Sequence, residues 1–155
     1  MPVMTESDAR PALGPDVSDG PRRLVLADLL ARFAAGLATQ ARAYEAAAGQ
    51  AGGALRQALE ELARAKHAQA AGLAPLERAL GVPTRSLLPP LPPGAPLSWG
   101  VILGEAFQAE RVLAGFGREL TGLAPDPAIR ALATRLAAGL GRDREEVRRL
   151  YLRYT

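Results

Sequence analysis

Cysteine is absent from the 155-residue sequence, so it can build neither a disulfide framework nor a thiolate metal centre. Histidine occurs once, as His67, and one histidine gives no basis for arguing a Ser-His-Asp arrangement. No glycine-rich loop follows a strand-like run, which removes the usual phosphate cradle. Aromatic and β-branched residues are few, and that disfavours sheets. No uninterrupted apolar run approaches the roughly 20 residues of a membrane span. The opening MPVMTESDAR carries acids and prolines where a secretory signal needs a basic and then an apolar region. A cytoplasmic protein without a membrane partner is expected.

What remains is dominated by 32 alanines and 25 leucines, a usage that favours closely packed helices. The length suits one domain with a real core. The formal charge of +3 rests on eighteen arginines and one lysine. These are spread over all the helical segments among sixteen acids, so nucleic acid is not the expected partner.

Residues 1–19 are polar, proline-punctuated and aperiodic, and are expected to form a disordered tail. Residues 20–155 should form four helices. Ser18-Asp19-Gly20-Pro21 reads as a helix start. From there to about Ala48, Leu26, Leu30, Phe33, Leu37 and Tyr44 make one apolar stripe that also contains Gln40. Val25 and Leu29 form a second apolar edge. Gly49, Gly52 and Gly53 then break the chain briefly, so the second helix must turn straight back. It spans about Ala54 to Leu80, with Pro75 expected to kink it and Gly81 to cap it. Ser98 caps a third helix to about Thr121. Asp126 and Pro127 open a fourth, which carries Ile129, Leu132, Leu136, Leu140, Val147 and Leu150.

Between the second and third helices lies the segment PTRSLLPPLPPGAPLSW, with six of the thirteen prolines. It can be neither helix nor central strand. As polyproline II its seventeen residues would extend about 50 Å, longer than a 26-residue helix at about 39 Å. The expectation is therefore two antiparallel hairpins joined by a crossover at 82–98, with the second and third helices parallel.

Over about residues 22–153 the chain resembles the ferritin-like di-iron proteins, of the rubrerythrin and tRNA-hydroxylase kind. The resemblance rests on three stretches. They are Glu60-Glu61-Leu62-Ala63-Arg64-Ala65-Lys66-His67, Glu105-Ala106-Phe107-Gln108-Ala109-Glu110-Arg111 and Asp143-Arg144-Glu145-Glu146-Val147. It implies a ferritin-like four-helix bundle with inward ligands at Leu37, Arg64, His67, Glu105, Arg144 and Val147. Only His67 and Glu105 among these could ligate. Arginine is permanently charged and has no lone pair to offer a cation. The resemblance thus implies a degenerate di-iron site that binds no cofactor. A salt bridge between Glu105 and Arg144 is expected in its place, with Arg64 and His67 in the same layer. The favoured expectation is a non-catalytic bundle acting as a structural or protein-interaction domain. Its partner would be a homodimer mate or another helical protein, met through Val25, Leu29 and the leucines of the link. The alternative is a metal protein or di-iron hydroxylase-like enzyme, with iron or zinc on a remodelled site of His67, Glu105 and Glu110.

Overall fold

The computed structural model describes residues 20–82, 98–124 and 126–155. The expected tail, and the expected crossover apart from its two end residues, lie outside the described residues. Those described form four helices and no strand: α1 (Gly20–Gln50), α2 (Gly53–Leu80), α3 (Trp99–Leu123) and α4 (Pro127–Tyr154).

Their ends follow local chemistry. Gly81 adopts the left-handed conformation at φ 70°, open to glycine without a Cβ penalty. Its N–H and that of Val82 return to the carbonyls of Arg78 and Glu77, closing the last turn of α2. The Ser98 hydroxyl accepts from the Val101 amide at the start of α3. The Asp126 carboxylate accepts from the Ala128 amide, with Pro127 opening α4. Helix α1 runs on through Gly49, so the break falls at Ala51-Gly52 instead. Helix α2 continues through Pro75, whose ring leaves the carbonyl four residues earlier without a donor.

The helices form a four-cornered bundle in which α1 packs on α2 and α3, and α4 on the same two. Two apolar clusters fill it. One gathers Leu26–Leu37 of α1, Leu73–Leu80 of α2, Leu113–Leu120 of α3 and Ile129–Leu140 of α4. The other joins Tyr44–Ala48, Leu55–Ala63, Leu103, Ala106, Val147 and Leu150. The first cluster thus takes the early halves of α1 and α4 and the late halves of α2 and α3. Each hairpin is antiparallel, and α2 and α3 point the same way. Gly36 brings α1 close to α3, since a Cβ there would stand 3.0 Å from Leu113 Cδ2. Phe33 and Phe116 meet beside it with ring centroids 5.9 Å apart.

Two expectations need correction here. Leu29 is no second edge but part of the core, because an alanine- and glycine-rich helix packs closely enough to bury a wide face; Val25 stays exposed. Among the described residues, α1 is also long and apolar enough by length and composition to span a membrane, which single apolar runs did not reveal. The alanines and glycines between its leucines raise its average, and its leucine face is committed to the core.

Candidate functional site

Between the two apolar clusters every helix sends a polar side chain inward. Gln40 and Tyr44 come from α1, Lys66 and Gln69 from α2, Glu110 from α3 and Asp143 from α4. Lys66 and Glu110 are completely buried, while Gln40 is 7% exposed. The Lys66 ammonium is the hub. Its Nζ lies 2.8 Å from Glu110 Oε1 and 2.6 Å from Asp143 Oδ2, and it donates to Gln69 Oε1 at 3.0 Å. Gln69 Nε2 in turn donates to Asp143 Oδ2 at 2.7 Å, and the Tyr44 hydroxyl donates to Glu110 Oε2 at 2.5 Å. The Lys66–Glu110 contact is close enough for an ion pair but is not directed as a hydrogen bond. Tyr44 therefore gives Glu110 its one well-aligned bond.

The electrostatics follow from burial. Desolvation pushes the Glu110 carboxyl above its ordinary value, against the opposing pull of Lys66 and of the Tyr44 hydroxyl. Burial, then the Glu110 charge, pushes the Tyr44 phenol upward, so it serves only as a neutral donor. Two carboxylates and one ammonium leave one excess negative charge in the layer when all are ionised. A proton on Glu110 would remove it.

The residues expected at the site fall elsewhere. Arg64, His67, Glu105 and Arg144 are exposed, and the expected Glu105–Arg144 salt bridge does not form. His67 Nε2 instead meets Glu45 Oε1 at 2.5 Å on the outer face of α1 and α2. Leu37 and Val147 do point inward, but each sits within an apolar cluster. Of His67, Glu105 and Glu110, only Glu110 reaches the interior, so the three do not converge on one ion. The physical reason is phase. Arg64 lies two residues from Lys66 on α2 and Arg144 one residue from Asp143 on α4, rotations of about 200° and 100° around a 3.6-residue helix. Glu105 lies five residues before Glu110, about 140° away. Lys66, Gln69, Tyr44 and Asp143 were the members that the motif-based reading missed.

The donor set does not suit a di-iron centre. The middle of the layer is taken by an ammonium, which offers no lone pair, with only two carboxylates around it. Among the described residues no three of His, Cys, Asp or Glu lie together as a ligand group. Comparison with protein-family models, curated proteins and solved structures returned no match for this chain.

Proposed function

We propose that this chain is a non-catalytic, ferritin-like helical scaffold in which a fixed internal cation does the structural work that metal ions do in di-iron bundles. The observation that carries this reading is Lys66, held between carboxylates from two other helices at 2.6 and 2.8 Å. Inward polar residues from all four helices, in a layer between two apolar halves, resemble the arrangement of a ferritin-like site. The helix directions support the long crossover as well. Helix α2 ends in one apolar cluster and α3 begins beside the other, which is what a crossover between them would require. On this reading the chain works by binding other helices, a second copy first. Support comes from α3 and α4, where Gly104, Phe107, Tyr151 and Leu152 line a mainly apolar cleft of about 360 Å³. Val101 and Val112 are also exposed on α3.

Metal analysis of protein purified from iron- and zinc-supplemented culture tests the first half of the proposal; clearly substoichiometric metal is expected. Stoichiometric iron lost on Glu110→Gln would overturn it. Sedimentation velocity tests the second half. A dimer weakened by Leu152→Glu is expected, and a strictly monomeric chain at high concentration would remove the self-association.

A further inference from the structure

The face between α2 and α4 is the most loosely packed of the bundle's four. It holds an open cleft of about 440 Å³, with Ala65, Ala68 and Gly72 on one wall and Leu132, Leu136 and Gly139 on the other. A second cleft of about 250 Å³ continues it, and both are bordered by Arg142 and Asp143. The result is a groove rather than a closed pocket. Its depth depends on Gly139, where a Cβ would stand 3.2 Å from Gln69 Nε2. Its floor reaches the edge of the buried ion network, where the Asp143 side chain is 15% exposed.

The rim of the larger cleft is cationic, with Arg135 and Arg142, whereas Glu61 and Glu146 line the smaller cleft beside Arg142 and Arg149. Arg135, Arg142 and Arg149 recur every seven residues on α4, two turns and about 10 Å apart. Arg149 is engaged by Glu146. Arg135 and Arg142 are exposed and have no acidic partner among the described residues. Two free guanidiniums over a floor of alanine and glycine, with leucines at one end, suit an acidic peptide with some apolar character.

The chain carries such a segment. Residues 1–19 hold Glu6, Asp8, Asp16 and Asp19 against Arg10, a net −3, while the other 136 residues have eighteen bases and twelve acids, a net +6. Ala12, Leu13 and Val17 supply apolar side chains within it. It joins the bundle at Gly20, at the end of α1 that packs beside the late half of α2. The groove lies across α2 from that point and further along the bundle, and nineteen residues can reach about 60 Å.

We infer that residues 1–19 dock in the α2/α4 groove of their own chain, their carboxylates on Arg135 and Arg142. The segment acts as a tethered ligand that covers the exposed edge of Asp143. An acidic partner protein reaching the same arginines has to displace it. This assignment does not rest on the role given to Lys66.

The absence of cysteine makes the test direct. A nitroxide on Ala12→Cys in the full chain should broaden the amide signals of Ala68, Gly72 and Gly139. The broadening should be lost in Arg135→Gln/Arg142→Gln, lost in Asp16→Asn/Asp19→Asn, and lost in about 1 M salt, where the Debye length falls to about 3 Å. Broadening that is absent, that centres on α1 or α3, or that survives both double variants overturns the assignment. So does broadening of equal strength in a mixture of spin-labelled chains and unlabelled, isotope-enriched chains, since the occupant would then come from a second copy.

Discussion

Replacing Lys66 by methionine isolates the central claim about the ion network. Methionine is unbranched and of similar length, so it can follow the lysine stem between the same neighbours. What it removes is the charge that faces Glu110 and Asp143 at 2.8 and 2.6 Å. Both carboxylates then remain in a layer where Glu110 is fully buried, with only Tyr44 and Gln69 donating to them. Removing one partner of a buried pair costs about 3–5 kcal/mol, because the other charge is left uncompensated. A domain of this size has about 5–15 kcal/mol in all. The variant should therefore lose about a fifth or more of its stability at pH 7, about 2 M in urea midpoint for an m-value of about 2 kcal/mol/M. The loss should shrink towards pH 4, where the buried Glu110 carboxyl, already held above its ordinary value, can take up a proton. The variant Lys66→Met/Glu110→Gln/Asp143→Asn, with no charge left to strand, should be distinctly more stable than Lys66→Met alone. Urea melts followed by circular dichroism at pH 4 and pH 7 decide the matter. A single variant within about 0.5 kcal/mol of the parent at pH 7 would mean the layer is effectively solvated.

Glu110→Gln should show a pH signature of definite sign. The folded-state carboxyl lies above its ordinary 4.5, so its stabilising contribution is complete below about that pH and is lost as pH rises through the folded value. The stability of Glu110→Gln relative to the parent should consequently climb with rising pH, and a flat difference between pH 4 and 8 would contradict the burial argument. Tyr44→Phe strips Glu110 Oε2 of its donor and should cost about 1–3 kcal/mol, read by the same melts. Gly141 has open space where a Cβ would go, so Gly141→Ala should raise the denaturation midpoint by the equivalent of about 0.5–1 kcal/mol. Gly139→Ala should not share that gain, since its methyl would press on Gln69 Nε2 and through it on Asp143.

Three of the helix ends were legible because each is marked by a residue with one local job. Ser98 and Asp126 offer an oxygen to an amide two or three residues on, and Gly81 turns left-handed. Such signals need no knowledge of the rest of the chain. The reach of the α1 core face was less legible, because it depends on how closely neighbours approach. Leu29 reads as surplus beside a five-residue stripe and becomes interior only once the helices close round it. The split between a mainly apolar α3/α4 face and an arginine-rimmed α2/α4 face depends likewise on which helices become neighbours.

The polar layer was written in the sequence in a different place from where motif matching looked. Along α2, buried leucines at 55, 59, 62, 73, 76 and 80 leave a gap, and continuing the steps of three and four fills it with Lys66 and Gln69. Along α4 the buried series 129, 133, 136, 140, 147 and 150 omits one step, which is Asp143. On α3 the series 103, 106, 113, 117 and 120 omits Glu110, and on α1 the stripe already contains Gln40. A polar residue in the phase of an apolar stripe must be buried with its neighbours, so its charge has to be answered from another helix. Three of the four gaps hold an ionisable group, and their signs are mixed, one base against two acids. That combination argues for an internal ion pair rather than a cation site from the sequence pattern alone. Aligning Arg64, Glu105 and Arg144 to ligand positions followed family spacing and ignored the stripe's phase. Those residues are out of phase with the leucines beside them and therefore face water. The lone lysine among eighteen arginines carries the same message. A flexible stem ending in a compact ammonium can reach two carboxylates inside a bundle, where a planar guanidinium would need more room.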